Sequence, residues 1–170
     1  MGRLIAILVT AAAVLAAAPA AAMATHSNGA GPKFDFVTGT GQIDFSTVFG
    51  QLDVQLHVNA QSDANGLNPR GSFVGKVSGP ADVNFSGSVT CLNLVGHAAS
   101  VGGRIDSSNS PFIAAGAGVL AFGTDSGEGA NAPGDGVLGL FNLPVPYTCP
   151  PVFAFGVLLR QGNFVAHDAL

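Results

Sequence analysis

Between Gln51 and Gln61 the chain alternates apolar and polar side chains without a break, Leu52, Val54, Leu56, Val58 and Ala60 against Asp53, Gln55, His57 and Asn59. Only an extended strand puts every second residue on one face, so this stretch must fold as a half-buried β-strand. The same period of two returns in Phe73, Gly75 and Val77, in Val83, Phe85, Gly87, Val89 and Cys91, and in Ala99, Val101, Gly103 and Ile105. The last series of apolar positions is small, which implies that another element packs close to it. Cys91 falls on the inward face of its strand by this count, and the run Leu92 to Val95 breaks the phase, as a bulge or a switch of the buried face would.

Shorter segments complete the set. Phe34 and Phe36 alternate with Asp35, and after Gly39 Thr40 Gly41 the pattern resumes at Ile43 and Phe45, giving two short strands or one bent one. Asn65 Gly66 with Asn68 Pro69, Gly79 Pro80 and Gly96 His97 supply turns. Phe112 to Phe122 is expected to be a strand rather than a helix because Gly116 and Gly118 are poor helix formers. Val137 to Leu143, Val152 to Leu159 and Phe164 to His167 follow as further strands, and no amphipathic helical period appears after the first residues. The expected fold class is all-β: an antiparallel meander of eight or nine strands. Its many inward glycines favour strong curvature, hence a small barrel or barrel-like sandwich.

Met1 Gly2 Arg3, an apolar run from Leu4 to Ala18, Pro19 and the small residues up to Ala24 have the layout of a secretory signal peptide. The alternative, a retained membrane anchor, is disfavoured by the weakly apolar alanines and by Pro19. Residues 1–24 are therefore expected to be removed, residues 25–32 to form a flexible tail, and residues 33–170 to form a single β domain in a secreted, extracellular protein. Cys91 and Cys149 are the only cysteines, and an even pair in an exported chain reads as one disulfide.

Charged residues make up only 9% of the chain, so its surface must be built from Ser, Thr, Asn, Gln and Gly. Once Arg3 leaves with the leader, Lys33, Arg70, Lys76, Arg104 and Arg160 face ten acidic residues. With no cluster of cations to neutralise phosphates, nucleic acid is not an expected partner. Stable membrane insertion is not expected after cleavage, since strands of an outer-membrane barrel want aromatic girdles and this chain has one Tyr and no Trp.

No catalytic or cofactor motif emerges. His26, His57, His97 and His167 stand at tail, strand or turn positions, no Gly-x-Ser-x-Gly elbow is present, and Asp53 is too far along the strand to orient His57. The glycine-rich segment Thr124 to Gly136 carries Asp125, Glu128 and Asp135, a candidate set of calcium ligands whose spacing matches no EF-hand; a solvated turn is the plainer reading. It also lacks the Gly-Lys-Ser/Thr ending of a nucleotide loop. Asn84 Phe85 Ser86 is a glycosylation sequon, relevant only in a host that glycosylates its exports.

The segment Gly87 Ser88 Val89 Thr90 Cys91 Leu92 Asn93 Leu94 Val95 Gly96 His97 Ala98 Ala99 Ser100 Val101 Gly102 Gly103 Arg104 Ile105 resembles a pattern of exported, uncharacterised β-rich proteins of actinobacteria. The ending Gly162 Asn163 Phe164 Val165 Ala166 His167 Asp168 Ala169 and the acidic glycine loop before Cys149 resemble the same group. The resemblance implies bacterial export and β structure and transfers no active site. Three functional readings remain. The first is a non-enzymatic extracellular module, structural or binding a protein partner. The second is a carrier whose small apolar ligand sits among Leu52, Val54, Leu56, Phe85, Val89 and Val101. The third is an enzyme whose site is assembled from distant strands.

Overall fold

A computed structural model describes residues 34–47, 50–79, 82–127, 134–152 and 156–169; the expected leader and tail lie outside them. The described residues form nine antiparallel strands: β1 (Phe34–Thr47), β2 (Gly50–Asp63), β3 (Leu67–Ser78), β4 (Val83–Val95), β5 (Ala98–Ser108), β6 (Gly118–Thr124), β7 (Gly136–Leu143), β8 (Val157–Leu158) and β9 (Gln161–His167). Their order in the single sheet is β8-β7-β6-β5-β4-β3-β2-β1-β9. Every neighbour is the next strand in sequence until β9, which crosses to the far edge and pairs with β1. The architecture is the all-β meander expected, curled into a half-barrel whose two edges approach each other.

Curvature comes from glycine set opposite phenylalanine. Phe73 on β3 pairs with Gly87 on β4, while Gly75 pairs with Phe85 in the same ladder. The two motifs, Phe73-x-Gly75 and Phe85-x-Gly87, run antiparallel, so each ring lies over the bare backbone of the other strand. A methyl group at Gly75 would lie 2.1 Å from Phe85 Cζ. Phe164 sits over Gly39 in the same way across the β1–β9 pair. The rings of Phe73, Phe85 and Phe141 then form a chain, with centroids 6.4 and 5.2 Å apart, through a core that includes Val37, Val58, Val89, Leu92 and Ile105.

Several expectations change in detail. Of the two readings of the first segment the single strand holds, since β1 runs through Gly39 Thr40 Gly41 unbroken. Within β1 it is Asp35 that is buried, while Phe34 is exposed and Phe36 only half-buried. Phe112–Ala117 is irregular, with Gly116 at a positive φ of 87°, and the strand begins only at Gly118. The segment expected as a strand from Val152 contributes only Val157–Leu158 among its described residues.

The phase break in β4 is a bulge. Val89 pairs with Gly103 and Cys91 with Gly102, leaving Thr90 as the extra residue. One inserted residue exchanges the faces, so Leu92 and Leu94 enter the core and Cys91 turns outward. Cys91 therefore does not lie on the inner face. It packs outside the sheet with Leu120, Phe122 and Cys149, in a second cluster covered by the proline-rich segment that follows β7. Cys91 and Cys149 form the expected disulfide pair, with Cα atoms 5.4 Å apart. Across a separation of 58 residues such a link stabilises the fold by about 4 kcal/mol in the chain-entropy account.

Candidate functional site

The interior leaves little room. A cavity of about 60 Å³ lies inside the half-barrel and is lined mainly by apolar side chains, among them Val37, Leu56, Phe85, Val101 and Phe164. Of the six residues expected to surround a carried ligand, Leu56, Phe85 and Val101 line this space, Val54 and Val89 pack in the core, and the half-buried Leu52 does neither.

The acidic loop closes the half-barrel. Asp135 is buried; its Oδ2 accepts the backbone N–H of Phe164 at 2.7 Å and its Oδ1 that of Ser126 at 2.9 Å. Asp125 Oδ2 accepts from Ala166 N at 3.1 Å and its Oδ1 from Gly127 N at 2.9 Å. Phe164 and Ala166 are the residues of β9 whose N–H groups face away from β1, so these carboxylates take the place of a neighbouring strand. Asp35 acts alike at the barrel end, accepting from Ala169 N at 2.9 Å and Gly66 N at 3.1 Å. Three aspartates, two from the acidic loop and one from β1, thus hold the segment 164–169. Asp125 and Asp135, two of the calcium candidates, are brought together by the structure; Glu128, the third, lies outside the described residues. Among the described residues no group of three His, Cys, Asp or Glu side chains is placed to hold a metal ion.

The histidines are dispersed. His57 is exposed on the outer face of β2, His97 is exposed in the β4–β5 turn, and His167 stacks on Phe36 with ring centroids 5.3 Å apart; His26 lies outside the described residues. Among the described residues none of the three is paired with a carboxylate.

The outer face of β9, β1, β2 and β3 carries an open groove of about 450 Å³ bordered by Thr40, Gln42, Gln55, His57, Lys76 and Gln161. At its end Asp44 and Asp53 stand directly opposite on neighbouring strands, and Arg160 bridges them at 3.2 and 3.4 Å. The cation offsets what would otherwise be a repulsive cross-strand pair.

A larger cleft, about 530 Å³, opens at the end of the half-barrel next to the disulfide. It is assembled from the turn at Asn65, the end of β4 at Asn93 and Val95, the covering segment at Tyr147 and Thr148, and Asp168 beyond β9. The covering segment is anchored three times: by Cys149, by the Thr90 hydroxyl donating to the Pro146 carbonyl, and by the Asn93 amide donating to the Pro150 carbonyl at 3.3 Å. Asp168 is fixed by accepting from Gly96 N at 3.0 Å. Asn65 adopts a left-handed backbone, φ 63°, a conformation asparagine tolerates better than most residues. Among the described residues the side chains of Asn65, Tyr147 and Thr148 make no hydrogen bond within the chain. The sequence marks Asn65 only as a turn residue and assigns none of the three to a site, because Asn65 and the Tyr147–Thr148 pair converge from segments more than 80 residues apart. Comparisons with protein-family models, curated proteins and solved structures find no match to this chain.

Proposed function

We propose that the protein is an exported, non-enzymatic β module of the bacterial exterior that acts by binding a partner at its surface. The observation that carries this reading is the filled interior beside a rigid external cleft. A carrier for a drug-sized molecule needs a cavity of several hundred Å³. The roughly 60 Å³ behind Phe164 would admit little more than water-sized molecules.

The described carboxylates nearest the interior, Asp35, Asp125 and Asp135, already accept backbone N–H groups, which favours a structural role for them over general acid or base work. Gln42, Gln55, His57, Asn59, Lys76, Ser86 and Ser88 occupy outward positions on β1 to β4, where a membrane-spanning barrel would carry an apolar band. Export rests on the leader, and the disulfide pair is compatible with an oxidising compartment.

The reading is tested by thermal unfolding of the secreted protein with dodecanoate, together with turnover of p-nitrophenyl acetate. Neither a shift in Tm nor turnover above the uncatalysed rate is expected. A saturable rise in Tm with dodecanoate, or turnover that survives repurification, would overturn it.

A further inference from the structure

We propose that the cleft beside the disulfide is a saccharide-binding site, with the Tyr147 ring stacking on the C–H face of a sugar and Asn65, Asn93, Thr148 and Asp168 hydrogen-bonding its hydroxyls. The inference rests on the surface-binding reading above and gives that surface a ligand class.

Tyr147 is 77% exposed, yet the segment that carries it is tied down by the disulfide and by two side-chain hydrogen bonds. A ring presented to water on a tethered backbone loses less conformational freedom when something stacks on it than one carried on a free loop. The negative face of the ring attracts the weakly positive C–H groups of a sugar. Around it stand groups suited to hydroxyls, which both donate and accept: the Asn65 amide, the Thr148 hydroxyl and the Asp168 carboxylate.

Charge narrows the class. No Lys, Arg or His lines the cleft, and its carboxylates are Asp35 and Asp168. A phosphate or carboxylate ligand would therefore meet like charge with nothing to offset it. A neutral polyol does not. Its volume of about 530 Å³ lies in the usual range for small-ligand sites.

Tyr147 is the only tyrosine and the chain has no tryptophan, so intrinsic fluorescence reports on this ring alone. The secreted protein is titrated with cellohexaose, maltohexaose, mannohexaose and N-acetylchitohexaose, with a heparin hexasaccharide as the anionic control. At least one neutral oligosaccharide is expected to change the tyrosine emission saturably, with a Kd on the order of 1 mM or tighter, and to shift the amide resonances of Asn65, Asn93 and Thr148.

By calorimetry Tyr147→Ala should weaken that binding about tenfold or more and Tyr147→Phe less than about threefold, both variants keeping the parent circular dichroism spectrum. The proposal is overturned if no neutral oligosaccharide binds, if Tyr147→Ala binds as well as the parent, or if heparin binds more tightly than the neutral probes. A failure of all saccharides with an inert, ligand-free protein would sink this inference alone. Ester turnover or dodecanoate binding would instead sink the module reading beneath it.

Discussion

Asp135, the residue before β7, accepts the backbone N–H of Phe164 on β9 at 2.7 Å, joining the two sides of the half-barrel through a side chain instead of a strand ladder. Phe164 in turn lies over Gly39 and lines the small interior cavity. The contact that closes the sheet is therefore also the one that seats the last core residue.

Removing that acceptor should be costly. Asp135→Ala leaves the Phe164 N–H buried without a partner and also frees Ser126 N, and we expect a loss of about 2–3 kcal/mol in urea unfolding. Hydrogen exchange at Phe164 should accelerate more than exchange within β4 and β5. Equal acceleration everywhere would mean that the carboxylate has no special part in closing the edge.

The glycines opposite phenylalanine make a sharper prediction. At Gly75 the nearest obstacles to a methyl group are all atoms of the Phe85 ring, whereas at Gly87 they include the Arg104 carbonyl oxygen at 2.1 Å. Gly75→Ala should cost about 1–3 kcal/mol by overpacking, and Phe85→Leu in the same molecule should recover part of it. Gly87→Ala should not be rescued by Phe73→Leu, because the backbone oxygen remains. Double-mutant cycles in urea check both halves.

The β2–β3 turn should respond to acid. The Asn68 amide donates to Asp63 at 2.7 Å, and with the nearby Arg70 guanidinium it holds the Asp63 carboxyl below the ordinary aspartate value. A lowered value in the folded state means that the turn is supported at and above the ordinary aspartate range. The support is lost as pH falls through the lowered value. Carbon-detected titration should place Asp63 below a free aspartate, and Asn68→Ala should move it back up. An unchanged value in that variant would remove the amide as the cause.

Much of the sheet is legible in the sequence because alternation over β2 to β5 fixes which residues share a face. Alternation registers the break at residues 92–95 but not where the extra residue sits; it is Thr90, one position before Cys91, and that carries Cys91 from the inside to the outside. Nor can it say that a sheet closes. Asp135 and Asp125 read as a solvated or calcium-binding loop because their partners, Phe164 and Ala166, lie 29 and 41 residues further on. Asp35 looks like the polar member of a Phe-Asp-Phe strand, yet it is buried because it holds Ala169, 134 residues away. The cleft was invisible for the same reason, since single, unremarkable residues from four segments meet only when β9 crosses to β1.

Native mass spectrometry of the protein recovered from culture supernatant tests the central reading, a secreted and disulfide-closed module with a filled interior. The expected species begins at Thr25, has Cys91 joined to Cys149, and carries no apolar ligand through gentle desolvation. A cell-retained chain with its leader and free thiols, or a stoichiometric lipid adduct on the secreted form, would contradict it.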